Sequence, residues 1–119
     1  MKNEIKPPSV VVPLDSKTME RLYRQEFLEL NCQEFSFDRA YLNRLMSTGF
    51  FGYLNNKYDL FISDFEYEDI NDLVVINKIL SEDLAVYQQA NRAESLFWNK
   101  LEFLLREAIR ARTGIFFLF

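Results

Sequence analysis

The stretch NRAESLFWNKLEFLLREAIRARTGIFFLF, residues 91–119, reads as a helix that runs directly into a strand. Asn91 and Glu94 stand at capping-box spacing, and Phe97, Leu101, Leu104, Leu105 and Ala108 recur every three or four residues, so the pattern predicts an amphipathic helix to about Arg112. Arg106, Arg110 and Arg112 fall in its last turns, where they oppose the negative end of the helix dipole. Thr113-Gly114 ends it, and Ile115-Phe116-Phe117-Leu118-Phe119 reads as a buried strand. A helix joined to a strand by so short a link usually closes a βαβ crossover, which predicts a terminal strand parallel to an earlier one. Trp98, beside the apolar stripe, is expected in or at the edge of the core.

Working outward from there, Ser9-Val10-Val11-Val12-Pro13 is a β-branched run bounded by proline, which predicts a short strand. Asp15-Ser16 offers a helix cap, and Met19, Leu22, Tyr23, Phe27 and Leu30 follow at helical spacing, fading at Asn31-Cys32. Ser36 is positioned to cap a second helix with Phe37, Tyr41, Leu42, Leu45 and Met46 on its apolar face and Gly49 at C′. The piece Phe50-Phe51-Gly52-Tyr53-Leu54 fits either an irregular helical extension or a strand. Asn55-Asn56 reads as a turn and Tyr58 to Phe65 as extended. Asp72 to Leu80 leans toward helix, with Asp69 or Asn71 as its cap. The expected fold is a single domain, residues 1–119, of α/β or α+β class: one layer of short strands, the last of them parallel, packed by three to four helices.

Chemistry is bounded mainly by what is missing. The chain has no histidine and one cysteine, Cys32, so zinc sites and Ser-His or Cys-His nucleophilic sites cannot be assembled. Paired carboxylates remain formally available but need a cleft. The expectation is a non-enzymatic protein with no catalytic residues, no metal and no cofactor. Cys32 cannot pair internally and is expected to be an inert buried thiol. Residues 1–8 lack the apolar run of a secretory signal and no stretch approaches the length of a membrane span, so a cytoplasmic protein without membrane contact is expected.

Charge is distributed unevenly. From Tyr58 to Asp83 there are eight carboxylates against one lysine, Lys78, a charge of −7 in a protein whose net charge is −4. The remainder is therefore slightly basic, and the field of this one segment attracts and steers a cationic partner. Net acidity disfavours direct nucleic-acid binding. Within the segment, Asp59, Asp64, Glu66, Glu68, Asp69 and Asp72 would supply charge, and Phe65 and Tyr67 aromatic anchors, the composition of an interface hot spot. The spacing lacks the central glycine and twelfth-position Glu of a calcium loop. Glu82, Asp83 and Asp38 read as solvated helix residues.

The order of elements over most of the chain, with Ala93-Glu94-Ser95-Leu96 opening a helix through Leu105-Arg106-Glu107-Ala108 and closing in Gly114-Ile115-Phe116-Phe117-Leu118, resembles the barstar-like immunity proteins that bacteria make against their own toxins. The resemblance implies a monomeric or weakly dimeric inhibitor whose carboxylates occupy the basic active site of a toxin, a nuclease, in place of substrate phosphates. That family concentrates its acids around the second helix. Here that region holds only Glu34 and Asp38 beside Arg39 and Arg44, so the toxin-binding face is expected in the 59–72 stretch instead. The other expectation is a structural or regulatory interaction protein, such as a phage-encoded adaptor or a homodimeric subunit, because nineteen aromatics in 119 residues exceed what one small core readily buries.

Overall fold

The terminal strand β4 (Ile115–Leu118) lies inside the sheet, between β1 (Ser9–Pro13) and β3 (Tyr67–Ile70), and β2 (Cys32–Ser36) completes the order β2-β1-β4-β3. This computed structural model describes residues 7–119, so the reading of the first six residues lies outside the described part. Every strand pair is antiparallel, which settles the class as α+β and corrects the expected parallel terminal strand. The reason is a second helical leg. After β3 the chain runs through α4 (Leu73–Lys78), a π-helical segment (Ile79–Asp83) and α5 (Leu84–Ala90), then turns at Arg92–Glu94 and returns as α6 (Ser95–Ala111). One helix between strands would leave them parallel; the added reversal makes β3 and β4 antiparallel.

Register assigns the faces. Val10 stands opposite Phe35 and Phe117, and Ile70 opposite Ile115, all on the side that packs against α2 (Arg39–Ser47), α3 (Phe50–Tyr58), α4 and α6. Here Trp98, Phe50, Phe51, Phe97 and Phe117 form the centre of the main core, joined edge to face, as at 5.2 Å for Phe50–Trp98 and 5.7 Å for Phe51–Phe117. The indole N–H of Trp98 donates to the Asn91 carbonyl at 2.9 Å, so this buried polar atom is satisfied. Val11 and Phe116 point to the opposite face, where α1 (Ser16–Tyr23) and the 24–31 loop cover them. Six α-helical segments are present among the described residues, against the three to four expected.

Several local expectations are corrected. The first helix ends at Tyr23 rather than near Asn31, because Gln25 and Glu29 take the left-handed conformation, with φ of 58° and 55°, and break the run. Residues 32–36 form β2, so Ser36 ends a strand and Asp38 caps α2, its side chain accepting from the Tyr41 N–H at 2.8 Å. Phe50–Tyr58 is a helix, which removes the Asn55-Asn56 turn, and the expected strand at Tyr58 to Phe65 is displaced to Tyr67–Ile70. The helix after it is capped by Asp72, not by Asp69 or Asn71. Asn91 and Glu94 form no capping box; Asn91 donates to the Tyr87 carbonyl and Glu94 pairs with Arg44 at 3.6 Å. Cys32 is half-buried, and burial pushes its thiol up.

Gly114 carries a steric demand at the α6–β4 junction. A Cβ there would lie 2.7 Å from the Ile70 carbonyl oxygen, a backbone atom of the neighbouring strand that cannot rotate away. Gly114→Ala is expected to cost about 1–3 kcal/mol by forcing β3 from β4. Urea unfolding checks this: the midpoint should fall with an unchanged slope, and an unchanged midpoint would contradict the close approach.

Candidate functional site

Among the described residues, the second face of the sheet is only partly covered. α1 and the 24–31 loop shield Val11 and Phe116, and beside them a groove of about 530 Å³ opens over Ser9, Val11, Leu118 and Tyr67, with Phe27 and Leu30 on one wall and Glu34 and Arg39 at the rim. A second depression, lined by Gln25, Arg39, Phe65, Glu66 and Phe119, and a third, whose lining includes Tyr23, Glu68 and Asp69, also share Tyr67. Tyr67 therefore borders all three depressions. Its ring meets Phe27 edge to face at 5.7 Å.

The walls of this surface are held by specific bonds. Arg21 donates from its guanidinium to the carbonyls of Leu28 and Glu29, tying the 24–31 loop back onto α1, and Asn31 donates to the Asp15 carboxylate at 2.9 Å. Tyr23 packs on Phe116 at 5.2 Å and donates its hydroxyl to Asp69 at 3.0 Å, while Asn71 donates to the same hydroxyl at 2.9 Å. The segment before β3 is pinned at three places. Asn55 exchanges two 2.9 Å hydrogen bonds with the backbone of Ile62, the Phe61 N–H donates to Glu68 at 2.8 Å, and Arg39 donates to the Asp64 carbonyl at 2.7 Å. Phe65 is 86% exposed and Phe61 71% exposed, yet both stand on or beside backbone fixed in this way.

Of the residues expected at a partner surface, Phe65, Glu66, Tyr67, Glu68 and Asp69 come together around the edge strand β3. Asp64 lies just ahead of them, half-buried. Asp59 is separate, an exposed left-handed residue ending α3, and Asp72 is occupied as the α4 cap, accepting from the Val74 N–H at 2.9 Å. Among the described residues none of these six acids forms an ion pair; the lysine and arginine partners lie elsewhere. Burial pushes the Asp69 carboxyl up, and the neighbouring Glu68 charge adds to this against the Tyr23 hydrogen bond. Phe27, Leu30, Glu34 and Leu118 complete the groove but carry no local sequence signal, because four strands and a loop must meet before it exists.

Asp83 departs most from its expected role as a solvated residue. It is 2% exposed, turned inward in the π-helical segment, and accepts from Lys57 at 2.7 Å, Tyr58 at 2.6 Å and Tyr53 at 2.9 Å. Burial alone would raise its carboxyl, but the Lys57, Tyr58 and Tyr53 donors outweigh this and hold it below the usual range. The Tyr58 phenol, chiefly through burial and the bond to Asp83, is pushed up to about 12. Lys57 also moves up, mainly through the same carboxylate. Asp83, Tyr58 and Lys57 are thus driven away from titration near neutrality, so the cluster fastens α3 to the π-helical segment between α4 and α5 rather than exchanging protons. No cluster of three or more potential metal ligands occurs among the described residues.

Comparison with known proteins finds no family model, no curated protein and no solved structure that matches this chain. Among the described residues no helix is long and apolar enough to cross a membrane.

Two titration experiments check this geometry. Asp83→Asn should cost about 2–3 kcal/mol at pH 7, the scale of leaving buried donors imperfectly satisfied. Because the folded-state carboxyl is lowered, its contribution is present above the unfolded-state value near pH 4 and lost as pH falls through the folded one. The wild-type advantage over Asp83→Asn in chemical denaturation should therefore shrink on acidification. Asp69 has the opposite sign: its raised carboxyl favours the protonated form, so Asp69→Asn should match or exceed wild-type stability at pH 7, with any gain vanishing below about pH 4.

Proposed function

We propose that the chain is a non-enzymatic inhibitor, an immunity or antitoxin protein of the kind its resemblance implies, which occludes a basic toxin, a nuclease, through the acidic-aromatic surface around Tyr67. The observation that carries this reading is the set of carboxylates from Asp64 to Asp69 that gather beside an aromatic surface, none of them in an ion pair among the described residues, with Arg39 nearby held on the Asp64 backbone carbonyl. Asp83 has three donors gathered on it; Glu66 stands exposed and Asp69 is under repulsion from Glu68. A cation arriving at this face relieves that repulsion. The fixed backbone on either side of Phe65 lowers the ordering cost of using it as an anchor.

A second reading, a structural or regulatory subunit, is favoured by Leu96 and Phe103, which are exposed two turns apart on α6. Sedimentation at two concentrations separates them: a stable dimer supports the subunit and a monomer the inhibitor.

Asp64→Lys with Glu66→Lys tests the proposal without touching a side-chain bond of the fold. The protein serves as bait in lysate of the source cell, and any basic protein recovered at low salt is assayed for toxic or nuclease activity with and without it. Inhibition should be lost in the double variant, with association slowed at least tenfold at low salt, a flatter salt dependence and a melting temperature within a few degrees of wild type. Association unchanged by the double reversal would remove this surface from the function.

A further inference from the structure

β3 is an edge strand. It pairs only with β4, and no backbone hydrogen bond from another described residue reaches its outer side. In an antiparallel pair alternate residues direct their N–H and C=O groups toward the neighbour and the others direct them outward, so half of Tyr67–Ile70 presents unpaired backbone groups to solvent. We infer that a cationic partner adds an extended segment of its own chain to this edge as a fifth strand. The inference rests on the reading of the acidic-aromatic surface as a partner site and specifies how that site is used.

Three observations select the edge and its occupant. Carboxylates stand on both faces of β3: Asp69 is opposite Phe116, on the α1 side, and Glu68 is opposite Phe117, on the helix-layer side. A segment with basic side chains on either face therefore meets opposite charge as it pairs. A second copy of this chain does not fit, because pairing β3 with β3 brings Glu66, Glu68 and Asp69 against themselves, and like charges across a strand pair are destabilising. The other edge, β2, carries a single acid, Glu34, where β3 carries two, Glu68 and Asp69, so the balance of acids favours β3. The third observation is continuity, since Tyr67 belongs both to the free edge and to the groove, and side chains of an added strand on the α1 face would lie beside that concave surface.

The probe is a capped peptide in which lysine pairs alternate with valine pairs, so that lysines fall on both faces of the extended segment, compared with the same peptide N-methylated at two adjacent central residues. The methyl groups block both hydrogen-bonding edges and keep every charge. Affinity is read by fluorescence anisotropy and backbone protection by amide hydrogen exchange, for the wild-type protein and for Asp64→Lys/Glu66→Lys. The expected result is slowed exchange within residues 66–70 and binding at least tenfold weaker for the methylated peptide. Equal affinity of the two peptides, protection at residues 32–36 instead, or no binding at millimolar peptide overturns strand addition. Equal affinities that both collapse in the charge-reversed variant reject the strand while leaving the acidic surface as a partner site. Equal affinities that also ignore the charge reversal reject both.

Discussion

β4 has apolar side chains on both of its faces and a strand on each of its sides, and the rest of the structure follows from covering it. Ile115, Phe117 and Phe119 enter the main core, whereas Phe116 points the other way. At roughly 25 cal/mol per Å² of apolar surface, leaving either set in water would forfeit several kcal/mol from a domain whose total stability is of that order. Two layers must therefore be built on one small sheet. The helices from α2 to α6 supply the first completely, while α1 has eight residues and supplies the second only in part. The concave surface around Tyr67 is the remainder of that unequal coverage. Its main groove runs across the sheet from Glu34 on β2 to Tyr67 on β3, beside an α1 tied at Phe116 and Asp69.

The elements read correctly from sequence are those in which local pattern and tertiary environment agree. Val10 to Val12 form a strand by composition and are buried, and the α6 stripe names Phe97, Leu101, Leu104, Leu105 and Ala108, all of which are buried. Asp15 caps α1 as its position suggests, and Gly49 takes a φ of 83° after α2. The failures have a common physical origin. CQEFS carries too much polarity to read as a strand, because as an edge it buries little of its own and is held by pairing with β1. The aromatics of 50–58 read as a possible strand because helix α3 buries Phe50, Phe51 and Leu54 at mixed three- and four-residue spacing. Strand direction was illegible, since the link from α6 to β4 is equally short in either topology and only the number of helical legs decides. At the site, residues 64–69 were legible as acids and aromatics, but the groove they border was not, as Ser9, Leu30, Glu34 and Leu118 come from four separate places in the chain.

One run of sequence with a charge of −7 contains two physically different kinds of carboxylate, and the contrast between them is the strongest argument about function. Asp83 is nearly inaccessible to water, receives three donors and has a cation at 2.7 Å, so its burial is offset within the fold. Glu82 shares that same lysine at 3.6 Å, and Asp72 is used on the first N–H groups of α4. These acids are accounted for by the structure that contains them. From Asp64 to Asp69 the position differs: Glu68 and Asp69 make neutral hydrogen bonds that fix geometry but do not balance charge, and Glu66 lies open to solvent. Self-repulsion among them lowers the stability of the folded chain. A fold able to gather three donors around Asp83 has the means to place a lysine near Asp69, and instead directs Arg39 to a backbone carbonyl of the same segment. The segment is thus pinned by its hydrogen bonds while its carboxylates are left without ion pairs, and the proposed inhibitor reading rests on that combination.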